Sequence, residues 1–279
     1  MGSLSPNMAS EGFAYFTLVT SDSYVLPAAV LARSLRNTNT TIPFCILATP
    51  STLSKSSLAT LTSISSLVVP VDPLASTSSN LCLIGRPDLH ATLTKLHLWS
   101  QTSFRRILYL DADTLVLRSL DHLFTSVPSH APFAACPELG FPDCFNSGVM
   151  LIRPDAATHE ALIAFSSRAE SFDGGDQGLL NMFFGDGGRE AAPGPPWHRL
   201  EFAYNMEMHR VYRLYIPAAM RYREQHAVLH FIGRDKPWHF EDGKVPLGEK
   251  PAAYDEFYAD MVGRWWTVKG QGQDAVDVL

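Results

Sequence analysis

The sequence lacks the short glycine signatures by which many chains bind nucleotides. Thr17 to Tyr24, which follows the first apolar segment, holds no glycine, and Gly-Lys-Ser or Gly-Lys-Thr occurs nowhere. A dinucleotide turn and a P-loop are thereby excluded, so any phosphate must be met by a metal, by side chains or by loops of another kind. There is no run of Lys and Arg, and the net charge of −6 leaves no footprint for nucleic acid. Only 4 of the 279 residues are cysteine, none paired as Cys-x-x-Cys. That argues against structural zinc, and Cys45, Cys82, Cys136 and Cys144 are expected to be reduced thiols in a core. Met1 to Gly12 has neither a basic start nor an apolar run, so a signal peptide is not expected, and no stretch nears the roughly 18 apolar residues of a membrane span. The expected compartment is the cytosol, where the acceptor-like Asn39-Thr40-Thr41 would go unglycosylated.

What the chain does have is a 46% apolar composition, enough for a large core. Strand-like and helix-like segments alternate, the pattern of helices packed on both faces of a mostly parallel sheet. Phe13 to Thr20, Pro43 to Thr49, Leu67 to Val71, the segment ending at Asp111, Phe133 to Cys136, Ser147 to Ile152 and Ala227 to Ile232 read as strands. Tyr24 to Arg36, Leu53 to Ser65, Leu89 to Ser103, a segment capped by Asp155, Asp176 to Phe184 and Tyr254 to Trp266 read as helices, with a helical turn at Asp121 to Phe124. Gly185 to Pro196 is a Gly/Pro-rich loop. No linker divides the chain, so one domain is expected over residues 13–268, with flexible ends at 1–12 and 269–279.

The richest stretch is Arg106-Ile-Leu-Tyr-Leu-Asp-Ala-Asp113, an apolar strand closed by two carboxylates one residue apart. An extended backbone would put Asp111 and Asp113 on one face at the carboxyl end of a buried strand, where open α/β sheets bind ligands. Paired oxygen donors there suit a divalent cation holding a diphosphate. A lone Asp-x-Asp is commonly a solvated loop, so its company decides. His230 closes the run Val228-Leu-His-Phe231, with Gly233 and Lys236 beyond it to approach and neutralise phosphate oxygens. Two carboxylates, an imidazole and phosphate oxygens make an O/N site suited to Mn²⁺. Asn146-Ser-Gly148 and Asp173-Gly-Gly-Asp-Gln177 offer polar groups for sugar hydroxyls; as ordinary turns they would leave Asp176 a helix cap. Trp197, Trp238, Trp265 and Trp266 could stack on sugars, though tryptophans more often pack.

With these residues in order, the chain resembles glycosyltransferase family 8, and more closely its self-glucosylating, glycogen-priming branch. The resemblance runs from about Phe13 to Trp266. It rests on Thr92-Leu-Thr-Lys-Leu-His97, Leu110-Asp-Ala-Asp-Thr-Leu-Val-Leu117, Pro142-Asp-Cys-Phe-Asn-Ser-Gly-Val149, Ser171 to Asn181, and His230-Phe231 with Lys236-Pro-Trp238. It implies a Rossmann-like transferase domain, a UDP-glucose donor, Mn²⁺ and retention at the anomeric carbon. Carried over by position, Asp111, Asp113 and His230 would hold the metal. Leu18, Thr20, Tyr24, Arg86, Lys95, Ala112, Asn146, Ser147, Asp173, Gly233 and Lys236 would complete the donor site, and Asp176, Gln177 and Lys95 would stand at the reacting carbon. Ser21 and Glu138 depart from the family, which has asparagine and aspartate there.

The resemblance places the acceptor at Tyr212, after the pair Tyr204-Asn205, with Tyr215 a second candidate. Met208, His209, Arg210 and Arg213 differ from the family's small, Ser-rich acceptor stretch. A homodimer is the family expectation, and glycogen synthase is not an expected partner because the C-terminal motif that binds it is missing from this sequence. Two rival readings remain: transfer of glucose or galactose to a separate small polyol or protein, and a nucleotide-sugar-binding protein with a dead site. Intact Asp113, Asp176 and Lys236 speak against the second.

Overall fold

Alternation along the first strand decides the layering. In β1 (Phe13–Val19), Phe13, Tyr15 and Val19 belong to one apolar cluster, and Ala14 and Phe16 to another. Successive side chains point to opposite faces, so β1 is buried on both. The computed structural model describes residues 12–271 apart from 77, 84, 86, 141–142, 186–191, 248 and 250–251, with backbone alone at 87–90 and 209–214. Its further strands are β2 (Phe44–Ala48), β3 (Leu67–Pro70), β4 (Arg106–Leu110), β5 (Thr114–Val116), β6 (Phe133–Pro137), β7 (Phe145–Ile152), β8 (His198–Arg199), β9 (Met206–Glu207) and β10 (Val228–His230). Seven form the main sheet in the order β3-β2-β1-β4-β7-β6-β8, and β5-β10-β9 form a small second sheet. Only β7 runs antiparallel to its neighbours in the main sheet. The mixed α/β class with a mostly parallel sheet is as expected.

The helices are α1 (Val25–Arg36), α2 (Lys55–Ile64), α3 (Asn80–Leu83), α4 (Leu123–Ser126), α5 (Ala156–Ser166), α6 (Asp176–Phe184), α7 (Met208–Arg221) and α8 (Ala253–Gly270). Leu31 and Leu35 of α1 and Leu61 of α2 pack on one face of the sheet, and Leu162 of α5 with Leu179 and Phe183 of α6 pack on the other. Each such side chain contributes about 1.5–3 kcal/mol on leaving water. As expected, Asp155 caps α5, its Oδ2 accepting from the Thr158 N–H at 2.7 Å.

Three expectations need correction, and one helix was not foreseen. The segment read as a helix from Leu89 is a 3₁₀ stretch, Pro87–Leu98. Its buried Leu93 and Leu96, with Trp99 just beyond, recur every three residues, which is the period of that tighter helix. α8 runs on to Gly270, past the boundary placed at 269, because Arg33 Nη1 donates to the terminal carbonyls of Val268 and Lys269 at 3.1 and 2.6 Å. Gly12 is held by the neighbouring strand, its carbonyl accepting from Arg105 N–H at 2.6 Å. And α7 has no counterpart in the sequence reading. Pro217 lies inside it and Tyr215 takes a non-helical φ of −152° and ψ of 64°, a break that hides the helical period. Of the Gly185 to Pro196 loop, 186–191 fall outside the described residues, while Gly194 N–H bonds the Phe183 carbonyl at 2.8 Å.

Just before β10, His226 is only 3% exposed and its Nε2 has no hydrogen-bond partner among the described residues. Burial, assisted by Arg223 and Arg264, pushes its pKa down to about 4. The unfolded chain therefore takes up this proton first, near the ordinary value of about 6.5. Stability from this site is complete above that value and is lost as pH falls from about 6.5 towards 4, on the order of 2 kcal/mol in total. Denaturant unfolding of wild type and His226→Leu across this range checks it: as the pH drops, wild type should lose more stability than the variant.

Candidate active site

β4 ends at Leu110 and the chain turns at once. The N–H and Oγ1 of Thr114 both bond the Asp111 carbonyl, at 3.1 and 2.7 Å. Asp111 and Asp113 are therefore brought together by a tight turn, and the extended backbone expected from strand alternation is corrected. β5 follows the turn, and β10 pairs antiparallel to β5 with His230 opposite Thr114. That pairing delivers the imidazole: Nε2 of His230 lies 3.4 Å from Asp113 Oδ1 and 3.8 Å from Asp111 Oδ2. One ligand atom from each of the three residues falls within 4.8 Å of the others, a candidate metal centre.

Gly148 makes room for the ring. A Cβ there would stand 2.6 Å from His230 Nδ1 and 3.0 Å from Asn146 Oδ1, so only glycine lets β7 pass this close. Gly148→Ala is expected to displace the imidazole, costing about 1–3 kcal/mol of stability and about 10–100-fold in divalent-cation affinity. Denaturant unfolding and calorimetric metal titration read the two effects separately.

Two lysines balance the carboxylates. Lys95, from the 3₁₀ stretch, reaches Asp111 Oδ1 at 2.9 Å and Asp176 Oδ2 at 2.8 Å. Burial draws its pKa down, but the two carboxylates outweigh that and hold it above the ordinary lysine range. Lys236 pairs with Asp113 Oδ2 at 2.5 Å and donates to the Phe231 carbonyl at 2.7 Å. Burial would raise the Asp113 pKa, yet the Lys236 ammonium holds that carboxyl well below the usual range. Asp111, Asp113 and Asp176 thus bring three negative charges against two ammonium groups. A divalent cation fits that imbalance, and so does the chemistry of two carboxylates with one imidazole.

On the opposite side, β7 begins with Asn146 and Ser147 beside α6. Asn146 Nδ2 and Gln177 Nε2 both donate to Glu138 Oε2, at 2.9 and 2.8 Å, and Ser147 N–H donates to Gln177 Oε1 at 3.2 Å. Asp173 accepts from Ser171 Oγ and Gly175 N–H at 2.8 Å and from Gly178 N–H at 3.0 Å, which fixes the entry to α6. Gly175 takes the cap position, leaving Asp176 as the first helical residue, 5% exposed and aimed at Lys95.

The other expected site residues are distributed as follows. The parallel register of β1 with β4 pairs Phe16 with Tyr109 and so carries Leu18 and Thr20 towards the Asp-Ala-Asp turn. Ala112 is buried within that turn. Tyr24 packs edge-on against Trp238 with ring centroids 5.7 Å apart. Gly233 has a φ of +93° and open space around it. Arg86 lies outside the described residues, as does the side chain of Tyr212, whose backbone sits in α7. Tyr215 is 67% exposed at the break in that helix. Of the tryptophans, Trp265 is core and Trp238 packs on it, with centroids 5.7 Å apart.

Two contributors escaped the sequence reading. Tyr109 donates to Asp111 Oδ1 at 2.6 Å, and Asn205 bonds His230 Nδ1 at 3.0 Å. Tyr109 carried a signal, since it precedes Asp111 by two residues on the same strand. Asn205 carried none beyond its place beside Tyr204.

Comparison with known proteins supplies the family. The model of glycosyl transferase family 8 matches residues 16–242. Glycogenin of Neurospora crassa is 39% identical over 95% of this chain, and human glycogenin-1 is 38% identical over 91%. The chain spans 37% of the length of the first and 71% of the second. Among solved structures, the galactosyltransferase LgtC, in complex with donor and acceptor sugar analogs, superposes with a TM-score of 0.62 at 19% identity, covering 95% of this chain and 98% of that one. The glycosyltransferase GlyE of Streptococcus pneumoniae gives 0.59 at 19% identity, over 92% and 63%. These two likenesses speak for the fold alone. Taken with the family match and the glycogenin relatives, the α/β sheet and its Asp-Ala-Asp turn identify the chain as a glycosyltransferase belonging to glycosyltransferase family 8.

Proposed function

We propose that the chain transfers glucose from UDP-glucose with retention of configuration, that the transfer depends on Mn²⁺, and that the acceptor is its own Tyr212. The convergence of Asp111, Asp113 and His230 beside two lysines, in a relative of the glycogenins, carries this reading. Asp111, Asp113 and His230 would hold Mn²⁺, which supplies positive charge to the diphosphate as the sugar departs. Lys236, already buried against Asp113, meets the charge growing on UDP, and Gly233 leaves the backbone open to the phosphates. Leu18, Thr20, Tyr24 and Arg86 are assigned to the nucleotide, and Ala112, Asn146, Ser147, Asp173 and Gln177 to the donor phosphates and sugar. Asp176, held by Lys95 at 2.8 Å, stabilises positive charge at the anomeric carbon. The proposed compartment is the cytosol, where thiols stay reduced; Cys45, Cys136 and Cys144 are buried free thiols as expected, whereas Cys82 is exposed and so corrects the expectation of a core position.

Intact-mass spectrometry after incubation with UDP-glucose and Mn²⁺ tests the acceptor. Hexose additions are expected in wild type and Tyr215→Phe and absent in Tyr212→Phe. Donor hydrolysis without any mass change would contradict self-glucosylation and favour a separate acceptor. A second copy of the chain is the proposed partner. Mixing Asp176→Asn chains with Tyr212→Phe chains should then glucosylate the former, while an unmodified mixture places the acceptor within one subunit.

A further inference from the structure

The hydrogen bonds around His230 decide which of its nitrogens carries the proton. A backbone N–H can only donate, and a carboxylate can only accept. Asn146 lies between one of each: its Oδ1 accepts from Gly148 N–H at 2.9 Å, and its Nδ2 donates to Glu138 Oε2 at 2.9 Å. Gln177 is oriented the same way, accepting from Ser147 N–H and donating to the same Glu138 oxygen. The two amides are thus oriented by groups that have no alternative polarity, which removes the usual ambiguity of an amide flip.

The consequence passes to Asn205, which is fully buried. Asn146 Oδ1 can only accept, so the Asn205 atom facing it at 2.8 Å is the Nδ2 donor. The opposite end of Asn205 is then its Oδ1, which lies 3.0 Å from His230 Nδ1. An oxygen there requires a proton on Nδ1. In neutral imidazole the lone pair is then on Nε2, the atom that faces Asp113 Oδ1 at 3.4 Å and Asp111 Oδ2 at 3.8 Å. Three acceptors converging with no proton among them form a cation's donor set.

We propose that Asn205 is a positioning residue for this centre: by accepting the Nδ1 proton of His230 it fixes the tautomer whose Nε2 lone pair faces Asp111 and Asp113. The proposal rests on reading those three residues as a cation site, and it can fail separately from that reading. Partners that fix a ligating imidazole in this way are worth about 10–100-fold in metal affinity.

Long-range proton–nitrogen NMR on metal-free protein carrying ¹⁵N-histidine tests it, at a pH about two units above the ordinary imidazole value. In wild type the neutral His230 ring should carry its proton on Nδ1 and leave Nε2 bare; a neutral ring protonated on Nε2 and bare on Nδ1 overturns the proposal without any variant. Asn205→Leu keeps the size and removes the acceptor, so the Nδ1–H preference should be lost and Mn²⁺ affinity should fall about 10–100-fold by calorimetry. A folded Asn205→Leu with unchanged tautomer and affinity also overturns it. If that variant does not fold, the wild-type spectrum still decides. Wild type that shows the expected tautomer but binds no Mn²⁺ would instead overturn the cation-site reading.

Discussion

Asp113→Asn is expected to lower glucose transfer about 10³-fold, or roughly 4 kcal/mol in transition-state stabilisation. The side chain serves two cations at once. Oδ1 faces His230 across the candidate metal centre, while Oδ2 holds Lys236. Asparagine retains one oxygen and loses the charge, so the centre drops a ligand and Lys236 loses its counter-ion. Because Lys236 is itself buried, part of the effect will appear as lost stability, and denaturant unfolding must accompany the kinetics. The distinguishing result is that UDP-glucose affinity in Mn²⁺ falls together with turnover. Raising Mn²⁺ should recover part of the activity, because the remaining ligands still define the centre. Full activity at ordinary Mn²⁺ would show that Asp113 does not hold the donor.

Asp176→Asn is expected to separate binding from turnover. The carboxylate sits at the start of α6, bonded to Lys95, which it shares with Asp111. Losing its charge should lower kcat about 10²- to 10³-fold, because charge opposite the forming cation is what it contributes. Donor affinity should change only a few-fold, since Asp111, Asp113 and His230 stay in place. The helix loses a first-turn charge worth about 0.3–1 kcal/mol, and the buried Lys95 loses one of its two counter-ions while keeping Asp111, so denaturant unfolding must accompany the kinetics here too. Steady-state kinetics with calorimetric UDP-glucose binding check this. Equal losses in both would make Asp176 a binding residue.

The sheet was legible because β1, β2 and β4 are buried on both faces and read as unbroken apolar runs. β5, β8 and β9 were not, since two or three residues carry no period, and their pairing is set by distant partners such as Thr114 with His230. Within the site, Asp111, Asp113, His230 and Lys236 could be named from residue type and order. How they meet could not: the turn at Asp111 is closed by Thr114, and the clearance beside His230 depends on Gly148 lacking a side chain. Asn205 shows the same limit from the other side. Its function depends on a polarity passed along from Gly148 and Glu138, which only three-dimensional adjacency reveals.

The most direct test of the cation-centred donor site is calorimetric titration of UDP into the metal-free protein, with and without Mn²⁺. Tight binding is predicted only when Mn²⁺ is present, and Asp111→Asn should abolish the difference. Equal affinity for UDP in Mn²⁺ and in chelator would contradict the account.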